Sequence, residues 1–357
     1  LPPDASATVP LGFWIGFAVL VAVLLVLDLR VFHRKSHEPS LRESALWTLV
    51  WVSLALCFNG FVWWLYATVL DHPNPTKPAV NFLTGYLVEW SLSMDNVFVF
   101  AVIFGFFGVP RKYQYRVLFW GILGAVVMRL MFVLLGVQLI EHFIVIMLLF
   151  GGFLVYTGIR LAIHDQADEV DPTKNLFLRF AKRHFPVAHG DHGSRFFVRE
   201  HGKLAVTPLF LVLLVVESTD VMFAVDSVPA IFGITRDPFI VFTSNIFAIL
   251  GLRALYFLLA GVMDLFRYLH YGLSAILIFI GVKMTIKTLE ELPHESWWPL
   301  PAYSWLHWPL PDWGSLVVVL GLLALSIVAS LVAKRLENRQ AMPARAEHPT
   351  PDRQSVG

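Results

Sequence analysis

The stretch Glu217-Ser-Thr-Asp220-Val-Met-Phe-Ala-Val-Asp226-Ser227-Val-Pro229-Ala230 places three carboxylates inside an apolar run long enough to cross a membrane. A second cluster, Glu89-Trp-Ser-Leu-Ser-Met-Asp95-Asn96, sits in another such run. In both, an acid precedes an Asp by six residues, and a small amide or hydroxyl residue follows the Asp. A carboxylate at the centre of a bilayer costs roughly 2.5–3.5 kcal/mol even on a lenient insertion scale. Five acids in two matched places therefore call for a compensating charge, and the pattern points to a cation that passes through.

Composition agrees with a membrane setting. Hydrophobic residues make up 57% of the 357 and charged residues only 15%, with a mean hydropathy of +0.67. Soluble domains carry about 25% charged residues. The formal net charge of +1 gives no sign of a nucleic-acid partner. The single cysteine, Cys57, excludes a disulfide framework and a thiolate metal site within this sequence.

Nine apolar runs are centred near residues 20, 56, 94, 126, 151, 218, 251, 277 and 324, each near the ~20 residues that a crossing needs. The first has no Lys or Arg before it, so it is read as a retained helix rather than a cleaved signal. Basic residues alternate between loops. Arg30, Arg34, Lys35 and Arg42 mark the first loop, and Arg111, Lys112 and Arg116 the third. The fifth, about Asp165 to Lys203, holds seven basic residues from Lys174 to Lys203, the seventh has Arg267, and Lys334-Arg335 opens the tail. The intervening loops carry few or no basic residues, which predicts an amino terminus outside and a carboxyl terminus inside.

The two acidic runs belong to a longer repeat. Pairing Asp95 with Asp226 also pairs Glu89 with Asp220 and Asn96 with Ser227. Downstream, Gly121 to Gly136, with Arg129, resembles Asn245 to Ala260, with Arg253. Leu154-Val-Tyr-Thr-Gly158-Ile-Arg160 then resembles Leu277-Ile-Phe-Ile-Gly281-Val-Lys283. Each unit holds three spans, an odd number, so the second enters from the opposite side. Inverted repeats with polar positions at matching depths are a transporter signature.

The expected fold is thus all-α and polytopic, with about nine transmembrane helices and two inverted-topology three-helix repeats. Two amino-terminal helices fill residues 1–77, the first repeat 78–164, a cytoplasmic loop 165–203 and the second repeat 204–289. A Trp-rich interfacial connection (Trp297, Trp298, Trp305, Trp308) covers 290–312, a last helix 313–335 and a disordered tail 336–357.

At about 100° per residue, Glu89 and Asn96 share a helix face, as do Asp220 and Ser227, with Glu217 close by. Asp95 and Asp226 are rotated away by about 100°. For all of them to meet one ion, either two faces line the cavity or the helix breaks; Pro229 offers a break by freeing the carbonyl of Val225. Glu89, Asp95, Glu217, Asp220 and Asp226 set against Arg129 and Arg253 leave a charge equal to one divalent cation plus one proton. Carboxylate, amide, hydroxyl and carbonyl ligands suit Mg, Ca or Mn better than Zn or Cu. Glu89, Glu217 and Asp220 could each be a ligand, a proton carrier or an arginine partner; Arg129 and Arg253 are read as ion-pair partners. Asp28 and Asp264 are read as unexceptional residues near inner helix ends. Asn59 is read as a helix–helix hydrogen-bonding group, and His184, His189, His192 and His201 as members of a solvated loop.

These motifs resemble the paired signatures of the TerC family of membrane proteins, over roughly Leu11 to Leu331, and the nine-span layout is most similar to its Alx branch. The resemblance implies a bacterial inner-membrane exporter of Mn2+. It carries a metal-binding role onto Glu89, Asp95, Glu217, Asp220 and Asp226, with Asn96 and Ser227 as neutral neighbours. Proton exchange is the expected energy source, no prosthetic group is expected, and without a Walker motif the chain does not hydrolyse ATP. The competing readings are export of another divalent ion such as Ca2+, a partner-dependent assembly or metallation factor, and an intramembrane acid–base enzyme. The duplication suits translocation better than a one-sided active site.

Overall fold

The computed structural model describes residues 9–32, 40–143, 145–163, 175–188, 193–200, 203–260, 268–291 and 310–346. The membrane helices are α1 (Leu11–Phe32), α2 (Leu41–Trp64), α3 (Thr76–Phe106), α4 (Arg111–His142) and α5 (Val145–Ile163), with a short π-helical turn, Leu65–Val69, closing α2. A connecting unit follows, made of α6 (Leu176–His184) and the antiparallel hairpin β1 (Phe197–Glu200) and β2 (Lys203–Val206). Then come α7 (Pro208–Phe232), α8 (Pro238–Leu250), α9 (Leu252–Ala260), α10 (Leu269–Glu291) and α11 (Asp312–Ala346).

Eight of the described helices are long and apolar enough to cross a membrane, and α8 with α9 forms a ninth candidate bent by 41°. The bend falls at Gly251, a residue type at which sharp kinks recur. Two expectations fail here. The helix carrying Pro229 does not break, because α7 runs unbroken to Phe232. Pro229 stands so close to the carboxyl end that its missing N–H affects only the last turn. The tail is also helical further than expected, since α11 continues to Ala346. Asp264, three of the loop histidines (His189, His192 and His201) and the Trp-rich connection lie outside the described residues.

Two three-helix units meet face to face. α3 packs on α8 as α7 packs on α4, while α3 meets α7, α4 meets α8, and α5 meets α10 along most of its length. The α5–α10 crossing is built from small residues, which permit the close backbone approach that membrane helices use. A Cβ on Gly151 would lie 3.0 Å from the carbonyl oxygen of Gly281, and one on Gly281 would lie 2.7 Å from that of Gly151. At the other end of the crossing, the Ser274 hydroxyl donates to the Gly158 carbonyl at 2.6 Å. The sequence match that pairs Gly158 with Gly281 also pairs Gly151 with Ser274, so the two contacts exchange when the units are exchanged.

Helices α1 and α2 cover one side of this core through an aromatic cluster. Phe58 lies 4.7 Å from Phe247, and Trp14 meets Phe239 edge-on at 5.2 Å between ring centroids. The crossing can be tested within α5. Gly151→Leu should cost about 1–3 kcal/mol by overpacking, whereas a Cβ at Gly152 meets nothing within 4 Å and Gly152→Leu should be near neutral. Thermal unfolding in detergent distinguishes them; equal losses would contradict the close crossing.

Candidate functional site

The centre of the interface is organised by Arg129 of α4. Its Nη2 donates to Glu89 Oε1 at 2.6 Å and its Nη1 to Glu89 Oε2 at 2.7 Å. Nη1 also donates to Asn245 Oδ1 of α8 at 2.6 Å, and Asn245 is held in turn by donating to the Val241 carbonyl at 2.7 Å. All three side chains are buried. A two-pronged guanidinium–carboxylate pair is the strong form of charge-assisted hydrogen bond, and here it joins α3, α4 and α8.

Beside Arg129 lies a small cavity, also lined by Ser93 and Asn96 of α3, Asp220 and Ala224 of α7, and Met128 of α4. Its volume of about 10 Å3 leaves room for one water or one ion. Asp220 and Asn96 make no side-chain hydrogen bond among the described residues, so both face the cavity with their oxygens uncommitted. Glu217, one turn from Asp220, lays its carboxylate against Gly124 of α4, where a Cβ would overlap both oxygens.

The remaining motif residues sit elsewhere. Asp95 and Asp226 are half-buried and do not line the cavity; Arg160 of α5 is the attractive charge acting on Asp226. Ser227 is buried, and its hydroxyl has no hydrogen-bond partner among the described residues. Glu89 is committed to Arg129. No three His, Cys, Asp or Glu side chains among the described residues are grouped to hold a metal ion. The structure thus brings Asp220, Asn96 and Arg129 together and leaves Asp95, Asp226 and Ser227 apart.

Three features were missed by sequence reasoning. Asp28 is not an unexceptional helix-end residue: it is buried in α1 and ion-paired with Arg253 of α9. A count of buried arginines against acids within their reach would have flagged it, since each needs a partner. Asn245 is the third member of the Arg129 cluster, and the amide at the Gly121-equivalent position was its only signal. The 165–203 connection is not simply a solvated loop. Asn175 caps α6, accepting from the Leu178 N–H at 3.1 Å, and donates to Ser218 Oγ at 2.5 Å, beside Glu217. Within that connection His184 is exposed and stacks on Phe180. Asn59 leaves its Oδ1 buried without a hydrogen-bond partner among the described residues, contrary to the helix–helix bond expected of it.

A polytopic helical bundle with a small cavity, lined by both polar and apolar side chains, between α3, α4, α7 and the bent α8–α9 pair is the class that fold and site define. Comparison with known proteins refines it. The family described as "Integral membrane protein TerC family" matches residues 74–338, and the chain belongs to that family. It is 45% identical over 324 residues to an uncharacterized membrane protein of Myxococcus xanthus, covering 91% of this chain and 93% of that one. It is 47% identical over 281 residues to the Escherichia coli K12 protein named "Putative membrane-bound redox modulator Alx", covering 78% and 87%. An uncharacterized membrane protein of Rickettsia bellii is 37% identical over 327 residues, covering 92% and 99%. No solved structure matches the chain.

The Arg129 cluster makes a stability prediction. Glu89→Gln and Arg129→Met should each cost about 3–5 kcal/mol, because each leaves a buried charge uncompensated. The double variant Glu89→Met with Arg129→Met should recover much of that loss. Asp28→Asn should resemble Glu89→Gln, although Asp28 lies before the segment matched to the family. Unfolding midpoints in detergent check all four, and an unaffected Asp28→Asn would show the pair to be superficial.

Proposed function

We propose that the chain is a secondary transporter that exports Mn2+ across the bacterial inner membrane by alternating access, in exchange for protons. The carrying observation is the small cavity between the two three-helix units, into which Asp220 and Asn96 present uncommitted oxygens. An all-oxygen donor set suits a hard divalent cation. Midplane carboxylates also carry protons in pumps and transporters, which makes them suited to exchange.

The reciprocal packing of α3 on α8 and α7 on α4 is what an inverted pair of repeats requires, as is the exchange of Gly151–Gly281 with Ser274–Gly158. In this reading the units rock about the α5–α10 crossing while the site stays at the midplane. Arg129 keeps a positive charge in the cavity wall, so the conformation described is one closed to the cation. Binding requires a rearrangement that brings Asp95 or Asp226 toward Asp220. The distribution of basic residues orients the amino terminus outside and the carboxyl terminus in the cytoplasm.

The Alx relatives carry a name that speaks of redox modulation. Within these 357 residues Cys57 is the single thiol, and it is exposed on α2, so an intramolecular dithiol cycle is unavailable to them.

Purified protein in liposomes, with Mn2+, Mg2+ and Ca2+ compared and an internal pH dye, tests the proposal. Mn2+ uptake should be coupled to opposing proton movement. Asp220→Asn should reduce it by about tenfold or more, equivalent to roughly 1.4 kcal/mol of lost interaction. Asp95→Asn and Asp226→Asn should each reduce turnover. Absence of flux for every cation from folded protein would overturn the autonomous transporter and favour a partner-dependent assembly role.

A further inference from the structure

The connecting unit between the two three-helix units has an outer face that transport does not use. We propose that α6 and the β1–β2 hairpin form a docking surface for anionic phospholipid headgroups of the membrane that the chain spans.

The placement of α6 carries the first part of the argument. Its start is tied to Ser218 by Asn175, and Ser218 lies ten residues into α7, about 15 Å from its first residue at 1.5 Å per residue. Beyond its other end, Ala188 N donates to the Val206 carbonyl and Val206 N to the Pro186 carbonyl, both at 2.9 Å, just before α7 begins. Thus α6 runs antiparallel along the first half of a membrane-spanning helix. Leu178 and Ala181 are buried on the side facing the bundle.

The hairpin is fixed at the same membrane surface. Phe197 packs on Phe210, in the first turn of α7, at 4.7 Å. Arg116, near the start of α4, donates to Ser194 Oγ at 3.0 Å and stacks over Phe196 at 5.0 Å. Both anchors are at the ends of spans, where headgroups begin.

What this unit leaves uncovered is apolar and basic together. Phe177, Phe180 and Phe185 are about half exposed, as are Phe197 and Leu204 on the hairpin. Interleaved with them are exposed Arg179, Lys182, Arg183, Arg195 and Arg199. The order along α6 follows depth. Phe177 lies at the deep end, beside Ser218, and Phe180 follows. Lys182 and Arg183 occupy the last turn, at the surface, and Arg179 is long enough to snorkel between the two levels. Interfacial helices show this combination of one apolar face and basic residues at headgroup level. A neutral membrane would satisfy the phenylalanines alone; the cations select lipid phosphates that keep a net negative charge. Each basic residue near an anionic surface is worth about 1 kcal/mol, a preference of about fivefold.

The test is independent of transport. Phe180→Cys, in a Cys57→Ser background, is labelled with a fluorophore in liposomes containing nitroxide-labelled phosphatidylglycerol or nitroxide-labelled phosphatidylcholine. Quenching by the anionic lipid should exceed that by the neutral lipid about fivefold or more at low salt. The excess should collapse at high salt and with Lys182→Glu plus Arg183→Glu, while Lys182→Arg plus Arg183→Lys retains it. The salt titration alone decides the matter if the charge-reversed protein does not fold. Equal quenching by both lipids would overturn the charge selection. Quenching by aqueous iodide alone would overturn membrane docking, and protection from both iodide and lipid would overturn it too, assigning the face to a second copy of this chain.

Discussion

A guanidinium inside an apolar bundle must find acceptors for its donors, because no water is there to supply them. Arg129 meets that constraint only where α3, α4 and α8 converge. Glu89 supplies the countercharge and a matching pair of oxygens, while Asn245 takes the remaining direction of Nη1. The middle of the interface is therefore set by one residue whose alternatives are all expensive. Removing either charge leaves the other buried, and moving α8 away removes Asn245. Arg129 also lines the cavity beside Asp220.

The second unit solves the same problem differently. By sequence, Arg253 corresponds to Arg129 and Asp220 to Glu89, yet Arg253 is ion-paired with Asp28 of α1. Asp220 is thereby spared the role that Glu89 plays and is left facing the cavity. The symmetry of the packing and the asymmetry of the charges are both present in one conformation. The charge sum from the sequence left out Asp28, the acid that Arg253 is paired with, and could not say which acids were spent on arginines.

Much of the architecture was legible because bilayer physics leaves few choices. Apolar runs of crossing length marked the spans, and the bent α8–α9 pair fell where one was expected. The helices that carry the matched motifs, α3 and α7, are in contact. The site was less legible. Helical periodicity put Glu89 and Asn96 on one face, correctly toward the interface, but could not show that Arg129 takes Glu89 while Asn96 keeps its oxygen for the cavity. Pro229 misled because a proline's effect depends on its distance from the helix end. Asp28 and Asn175 were missed because their partners, Arg253 and Ser218, are 225 and 43 residues away in sequence. No local pattern encodes such pairings.

The amino-terminal helices have a further consequence for the second unit. Asp237 caps α8, accepting from Phe239 N at 2.9 Å and Ile240 N at 3.3 Å, and its other oxygen accepts from the Tyr66 hydroxyl at the end of α2. Past the bend at Gly251, Arg253 is held by Asp28 of α1. The broken span is therefore tied to the first two helices on both sides of its break, while the described part of α4, its counterpart in the first unit, is a single unbroken helix. A bend in a membrane helix exposes backbone groups and loosens the segment, so a broken span facing the cavity needs an external frame to hold its angle. Helices α1 and α2 supply that frame. The bend is thereby held at both ends, on one side by Asp237 and Tyr66 and on the other by Asp28 and Arg253.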